Sequence, residues 1–256
     1  MAYVSLPKGL EVSTLAERPD LESPMRSLPD TFPEFMHHDA AVDRYWSRLF
    51  TDFARFQIAV CDDEAGVVAA GHCILVFWDE TIEGLPEGLD GVLERGLEDL
   101  DRGRAPTVAS ALLALVPHAH RGWDLSGVVL TAMKIVAAEH GLRALIAPVR
   151  PTLKDRYPLT SMERYVMWER DGGLPFDPWL RVHRRLGAEF LKVAPKSMVI
   201  AGTISEWEEW TGMRFPESAA YVVPGALQPV VMDLGRDLGS YEEPNVWMRH
   251  TVAAEG

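Results

Sequence analysis

The stretch 111–149 constrains the fold of this chain more than any other part of it. It opens and closes with short apolar runs, which are typical of strands covered on both faces. Between these runs, residues 125–140 place apolar side chains at helical spacing, namely Leu125, Val128, Val129, Ala132 and Val136. Asp124 is a favoured type at a helix N-cap, and Gly141 is favoured just past a helix end. The stretch therefore predicts a strand, a loop, a helix and a second strand.

The loop at 117–124 leads directly into the predicted helix. Backbone N–H groups without helical partners and the positive end of the helix dipole would therefore meet at one place. Phosphate groups bind at such helix N-termini. The sequence thus predicts an anion site where the first strand, the loop and the helix join.

His120-Arg121-Gly122, followed by Leu125 and Ser126, resembles the acyl-CoA-binding signature of the GNAT N-acyltransferases. That signature reads Arg-Gly-x-Gly-x-Gly/Ala, between the fourth strand and third helix of the family's fold. The resemblance implies an α/β fold whose mixed, mostly antiparallel central sheet has helices on both faces. It also implies acetyl-CoA or another acyl-CoA as co-substrate, bound by the backbone of Leu115 and Val116 at its pantetheine arm. Its pyrophosphate would lie on Arg121, Gly122, Trp123, Asp124, Leu125 and Ser126.

Two residues depart from the signature. Ser126 stands where the family prefers Gly or Ala, which is a mild change, and Asp124 stands where it prefers Gly. A carboxylate beside a pyrophosphate repels it. Either Asp124 points away and caps the helix, or the cofactor site is altered.

A second element, the segment His183-Arg184-Arg185-Leu186-Gly187-Ala188, resembles the family's Tyr-x-x-x-Gly-Phe. There the Tyr often protonates the departing thiolate, so the resemblance makes His183 the candidate general acid. The alternatives are a surface His on a basic helix, and a helix whose Arg181, Arg184 and Arg185 attract the CoA 3′-phosphate. For the general base, His118 in the loop is the first candidate, and Glu163 and Asp177 are further options.

The remaining chain is predicted to complete one domain, 1–202, followed by a C-terminal extension, 203–256, packed on it. The acidic segment 79–107 reads as a solvated surface insertion, with a lid over the acceptor as the alternative. A second insertion, 150–176, is either a substrate-specific loop or packs against the sheet. Helically spaced apolar residues in 33–56 form core or a wall of the acceptor pocket.

The formal net charge of −13 argues against nucleic acid or an anionic membrane as the main partner, because both bind basic faces. It is compatible with an amine substrate, and solubility alone also explains it. No apolar run is long enough to span a membrane, and the N-terminus lacks a signal-peptide pattern. Cys61 and Cys73 lie too far apart in the predicted hairpin for a disulfide, which favours a cytoplasmic protein.

Other catalytic patterns do not occur in the sequence. His37 and His38 lack a second ligand pair at metal spacing, so no metal is expected. The sequence has no Gly-x-Ser-x-Gly elbow, Walker A loop or Gly-x-Gly-x-x-Gly motif. We therefore expect an enzyme that moves an acyl group from acyl-CoA to a small-molecule amine by direct attack in a ternary complex. The alternatives are a catalytically weak CoA-binding or regulatory module, and a structural homodimer built by the long tail.

Overall fold

The structure, a computed structural model, describes residues 9–120 and 122–252. Within them, nine strands form one mixed sheet in the order β1-β2-β3-β4-β5-β9-β8-β7, with β6 on the other edge of β9. β4 and β5 are parallel, and the other pairs are antiparallel. The strands are β1 (Leu10–Thr14), β2 (Gln57–Asp62), β3 (Gly66–Val76), β4 (Val108–Leu115), β5 (Ala144–Val149), β6 (Glu189–Gly202), β7 (Ala219–Tyr221), β8 (Val230–Asp233) and β9 (Leu238–Thr251).

Helices cover both faces of this sheet, which confirms the predicted fold class. They are α1 (Glu22–Arg26), α2 (Ala40–Asp52), α3 (Leu89–Asp101), α4 (Leu125–Glu139), α5 (Met162–Tyr165), α6 (Pro178–Arg185) and α7 (Ile204–Thr211). Apolar side chains of α1, α2, α3 and α7 pack in one core, and those of α4, α5 and α6 pack in a second. We call the two sides of the sheet the α2 face and the α4 face. In the described part of the chain, no helix combines the length and apolar character that crossing a membrane requires.

The apolar stripe predicted in 33–56 contributes mainly to the core. Phe35, Leu49, Phe50 and Phe53 are all buried on the α2 face. Their helix is interrupted, because a short 3-10 helix at Glu34–His38 precedes α2. Burial of these rings supports the packing interpretation over a pocket wall for most of the stripe.

The tail differs from the predicted extension, because its last strand lies inside the sheet. β9 pairs with β5 from Ala144↔Thr251 to Val149↔Val246, and with β6 along its other edge. A strand that follows β5 by about a hundred residues in the chain thus completes the centre of the sheet. The segment 203–256 is therefore partly a structural element of the main sheet.

The segment 79–107 also differs from the solvated surface element that we predicted. Its helix α3 buries Leu89, Val92, Leu93 and Leu97 on the α2 face. Leu100, in the last turn of α3, is exposed. Because one stripe of α3 is fully covered, the helix belongs to the core and leaves no apolar face for a lid.

The hairpin of β2 and β3 has the register expected from the sequence. Cys61 lies opposite Val67, whereas Cys73 lies opposite Ala111 on β4. Both cysteines are free thiols. The space beside Gly71 on β3 is filled by side chains of α4. A Cβ atom on Gly71 would lie 2.6 Å from both Met133 Cε and Val129 Cγ1.

The first turns of α2 and α3 bring two carboxyl groups together. Asp39 caps α2, accepting hydrogen bonds from the N–H groups of Ala41 and Val42 at 2.9 Å. Asp90 in α3 accepts from the N–H of Val199 at 2.9 Å. Burial raises the pKa of Asp39, and burial together with the neighbouring Asp39 raises the pKa of Asp90 to about 8. The pair therefore holds a proton at neutral pH.

Replacing Gly71 with Ala tests the packing of α4 on β3. Gly71→Ala is expected to lower the free energy of unfolding by about 1–3 kcal/mol, because the new methyl group overpacks the core. Urea unfolding followed by circular dichroism measures the change. Gly91→Ala in α3 is the control, since the nearest atom to its Cβ lies 3.5 Å away. Equal stability of the two variants would contradict this packing.

Replacing Asp90 with Asn tests the carboxyl pair. The folded-state pKa of about 8 lies above that of an unfolded Asp, so the native state keeps a proton that the unfolded chain loses. Stability from this proton is complete below the unfolded pKa and declines as pH rises through the folded pKa. Thermal melts from pH 5 to pH 9 should therefore show a flatter decline for Asp90→Asn than for the unmodified chain, by about 1 kcal/mol or more. Glu94→Gln, an exposed change on the same helix, should leave the decline unchanged.

Candidate functional site

The parallel strands β4 and β5 pair over a short distance and then separate. Their ladder consists of Ala109↔Leu145 and Ser110↔Ile146. β4 continues to Leu115 beside β3, and β5 continues to Val149 beside β9. The end of β4 is half-buried, and beyond Ser110 its edge towards β5 has no strand partner. We call the space along this unpaired edge the gap. Backbone N–H and C=O groups seek partners, so this gap is suited to an extended polar chain such as a pantetheine arm.

A bulge in β4 lies at the start of this gap. His72 of β3 pairs with Leu113, and Cys73 pairs with Ala111, so Leu112 is an extra residue in β4. A bulge bends its strand and re-aims the backbone groups beside it. The bend accounts for the departure of β4 from β5 directly after Ser110.

The loop between β4 and α4 has the features of an anion site. Gly122 adopts a φ of +94°, and no atom lies within 4 Å of where its Cβ would be. The first helical hydrogen bonds of α4 run from the N–H groups of Gly127 and Val128 to the carbonyl of Asp124. The N–H groups of Leu125 and Ser126 precede these bonds at the positive end of the helix, as phosphate binding requires. These residues therefore fit the pyrophosphate of an acyl-CoA.

Asp124 does not cap α4 with its side chain, so that alternative from the sequence is wrong. Its backbone is left-handed, with φ of 56° and ψ of 23°, and no side-chain cap hydrogen bond forms. An Asp caps a helix from the extended region, because only then does its carboxylate reach the second or third N–H. The left-handed φ also explains why a Gly is preferred at this position. The exposed carboxylate remains beside the proposed phosphate site.

The other predicted loop residues have different environments. Trp123 is 48% exposed and packs edge-on against His120, with ring centroids 5.3 Å apart. The side chain of Leu125 is buried in the core of the α4 face, so its backbone alone can face a phosphate. Leu115 and Val116 are half-buried at the end of β4. Arg121 lies outside the described residues, and its part in the site stays a prediction.

His183 is neither a surface residue nor suited to protonating a thiolate. It is 1% exposed, on the α4 face, with Nδ1 2.9 Å from Nε2 of His250. Burial, and then His250, lowers the pKa of His183 to about 3, so the imidazole is neutral near pH 7. A neutral imidazole of such low pKa is a poor proton donor. The sequence missed this because the flanking arginines suggested an exposed helix face.

Those arginines bind backbone groups of their own segment. Arg181 donates to the carbonyls of Pro175 and Phe176, and Arg184 donates to the carbonyl of Ala188. These contacts stabilise the two ends of α6. The role of this helix in binding a 3′-phosphate stays a prediction.

The three candidate bases lie in three different places. Asp177 is buried and accepts hydrogen bonds from the N–H groups of Trp179, Leu180 and Leu153 and from the Tyr165 hydroxyl. It caps α6, and these four donors occupy both its oxygens. His118 is exposed in the 3-10 turn of the loop, and Glu163 is exposed on α5. The structure does not bring these groups together.

The segment 150–176 combines a packed cluster with an exposed edge. Rings of Tyr157, Tyr165, Trp168 and Phe176 contact one another at centroid distances from 4.9 to 6.2 Å. Leu159 and Met167 are largely exposed. The cluster supports the packing alternative for the aromatic residues. A substrate-specific role stays a prediction for the exposed edge.

A buried ion pair that the sequence analysis missed lies beyond the end of β5. Nε of Arg150 lies 3.0 Å from both carboxylate oxygens of Glu243 on β9, and its Nη2 donates to the carbonyl of Gly225 at 2.7 Å. Glu243 is fully buried and also accepts from the Tyr241 hydroxyl. The pair is on the α2 face, and it fixes the chain where β5 ends. Glu243 follows Arg150 by 93 residues, so no local pattern connects them.

A buried histidine on β3 was also missed. His72 is 3% exposed on the α2 face, opposite Leu113 in β4. His72 is a polar residue within the otherwise apolar strand β3. This contrast is the sequence signal that could have identified it. His72 lies next to the β4 bulge, on the edge of β4 that faces away from β5.

Comparison with known proteins identifies the family. No family model matches the chain. The chain is 33% identical over 285 aligned residues to arginine N-acetyltransferase avaD from Aspergillus versicolor, covering 97% of this chain and 96% of that protein.

Two solved structures share the fold. One is the loading GNATL domain of CurA from Lyngbya majuscula, with a TM-score of 0.57, 14% identity and coverage of 95% of this chain and 96% of that one. The other is the GphF GNAT-like decarboxylase in complex with isobutyryl-CoA, with a TM-score of 0.52, 15% identity and coverage of 95% and 99%.

At such low identity these structures support the fold alone, whereas the curated relative shares sequence along nearly the whole chain. The gap between β4 and β5, the bulge in β4 and the helix N-terminus after Gly122 agree with that relationship. The chain therefore belongs to the GNAT family of N-acyltransferases, enzymes that take their acyl group from an acyl-CoA.

Proposed function

We propose that this N-acyltransferase uses acetyl-CoA and acetylates an amine nitrogen of arginine or of a closely related cationic small molecule. The relationship to arginine N-acetyltransferase avaD carries the choice of acceptor and of acetyl group. The net charge of −13 supports it, because an acidic protein attracts cationic substrates. Acyl transfer occurs by direct attack of the amine on the thioester.

Two features of the described residues support this assignment. The gap beyond Ser110 offers backbone groups of β4 to the pantetheine arm and thioester. The N-terminus of α4 offers backbone N–H groups to the pyrophosphate. In this arrangement, an N–H of β4 polarises the thioester carbonyl without a side chain.

The proposed location is the cytoplasm, on the argument that both cysteines are free thiols. A homodimer contact through the tail is a separate proposal, which analytical ultracentrifugation tests.

A coupled assay tests the function. The chain, acetyl-CoA and L-arginine are incubated together, released thiol is followed with a disulfide reagent, and the acetylated product is identified by mass spectrometry. Lysine, agmatine and glycine serve as alternative acceptors. We expect turnover with arginine above the rate of thioester hydrolysis without an acceptor. Thermal stabilisation by CoA without turnover on any amine would instead favour the binding-module alternative.

Gly122→Val provides a negative control for the donor site. A branched side chain at a φ of +94° strains the loop, while the open space around its Cβ leaves the core undisturbed. We expect at least about a tenfold loss of CoA affinity by calorimetry with little change in circular dichroism. Unchanged affinity would mean that the phosphates bind elsewhere.

Asp124→Asn isolates the charge at the helix N-terminus. Asn tolerates the left-handed backbone of Asp124 and removes the carboxylate. Removing one exposed negative charge near the pyrophosphate should tighten CoA binding by about 1 kcal/mol, and less at high salt. Calorimetric titrations at two salt concentrations measure this gain. Asp124→Gly should match it and also stabilise the free protein. Equal affinities of Asp124→Asn and the unmodified chain would show that the carboxylate points away from the phosphates.

A further inference from the structure

Arg150 lies at the mouth of the gap between β4 and β5. β5 pairs with β4 only through Leu145 and Ile146, so its edge from Ala147 to Val149 borders the gap. Arg150 is the next residue along the chain. The backbone of β5 itself therefore brings Arg150 to the gap, and no other strand lies between them.

The side chain of Arg150 extends over the α2 face of the sheet. Side chains of β5 alternate between the two faces, with Ile146 in the core of the α2 face and Val149 in that of the α4 face. The guanidinium contacts Glu243, and its central carbon lies 5.9 Å from the ring centroid of Phe32, which packs on the α2 face. The donor loop lies on the opposite face, beside α4. Arg150 is therefore on the side from which the acceptor amine approaches in the proposed reaction.

Two of the three guanidinium nitrogens of Arg150 are bound by the protein. Nε donates to both carboxylate oxygens of Glu243 at 3.0 Å, and Nη2 donates to the carbonyl of Gly225 at 2.7 Å. Within the described residues, Nη1 has no hydrogen-bond partner, and the side chain of Arg150 is 22% exposed. The N–H groups of Nη1 are thus available to a ligand.

Both partners of Arg150 are themselves fixed. Glu243 is fully buried and also accepts a hydrogen bond from the Tyr241 hydroxyl. Gly225 has a φ of +84°, and a Cβ atom at this position would overlap the ring of Pro33, so a glycine is required. The guanidinium is therefore oriented before any ligand arrives, and binding through Nη1 costs little side-chain entropy.

We propose that Nη1 of Arg150 binds an oxygen on the carboxyl carbon of the acceptor, and that this contact selects arginine over amines that lack such an oxygen. This inference rests on the proposed function. Arg150 repels the ammonium and guanidinium groups of a cationic acceptor, whereas its carboxyl oxygens accept hydrogen bonds. Because Glu243 balances the charge of Arg150, the uncharged carbonyl of an arginine amide fits as well as a carboxylate. The cationic groups of the acceptor point away from Arg150.

Three acceptors that differ only at the carboxyl carbon test this proposal on the unmodified chain. L-Arginine carries the carboxylate, L-arginine amide keeps one carbonyl oxygen, and agmatine has neither. We expect kcat/KM for agmatine to be lower than for arginine by about tenfold or more, mainly through KM, because a hydrogen bond to a charged group is lost. A value for the amide near that of arginine would identify the carbonyl oxygen as the ligand, and a value well below it would identify the carboxylate.

The two proposals fail in different ways in this assay. Equal kcat/KM values for arginine and agmatine would overturn the role of the carboxyl oxygen. Absence of turnover with every amine, under conditions where CoA binds, would instead contradict the proposed function.

Arg150→Lys tests the residue, with Arg249→Lys as the matched control. Lys keeps a cation against the buried Glu243 but lacks the planar guanidinium. We expect the ratio of kcat/KM for arginine to kcat/KM for agmatine to fall by about tenfold in Arg150→Lys. Both values come from one preparation, so any loss of folded protein cancels in the ratio. Arg249 is also partly exposed and ion-paired, to Glu80, and Arg249→Lys should keep the ratio of the unmodified chain.

A double variant gives an independent test of the same residue. Arg150→Gln combined with Glu243→Gln removes both charges, so no buried charge is left unpaired. The ratio of the two kcat/KM values should fall as it does in Arg150→Lys. A double variant or an Arg150→Lys variant that keeps the ratio of the unmodified chain would show that Arg150 does not contact the acceptor.

Discussion

The separation of β4 from β5 is the constraint on which the rest of the structure depends. The parallel pairing ends after Ser110↔Ile146. Beyond this point, the backbone groups of β4 and β5 that face each other no longer form hydrogen bonds across the pair. On one edge of β5, the backbone groups form hydrogen bonds with β9, a strand from the C-terminal part of the chain. On the edge of β4 that faces away from β5, the backbone groups pair with β3, and this pairing includes the bulge at Leu112. What remains is a gap lined by one strand's polar backbone, which is the feature that an acyl-CoA site requires.

Local features of this architecture could be predicted from sequence. The strand, loop, helix and strand of 111–149 follow from apolar periodicity. Gly141 ends α4 with a φ of +68°, and Asp177 caps α6, because both depend on the chemistry of one residue and its immediate neighbours. The opposition of Cys61 and Val67 follows from the length of one turn.

Other features depend on distant partners, and local patterns do not contain them. β9 reads as one more extended segment of the tail until its pairing with β5 is known. The arginines beside His183 indicate a solvent-exposed helix face, yet the side chain of His183 is buried against His250. Asp124 is of a residue type that is favoured at helix N-caps, but its left-handed backbone prevents its side chain from capping α4. In each case tertiary structure overrides a local preference, and the last case coincides with the proposed phosphate site.

The sheet separates the proposed donor site from the residues on its opposite face. The N-terminus of α4 lies at one face, whereas His72 and the Arg150–Glu243 pair lie at the other. A direct-attack mechanism needs donor and acceptor to meet, and in an intact sheet they would be separated by a layer of paired strands. The gap between β4 and β5 removes that layer at one position. In the proposed reaction, the thioester would be presented through this gap from the α4 face to an amine on the α2 face. This geometry explains how a fold with a continuous core can still join two substrates across its sheet.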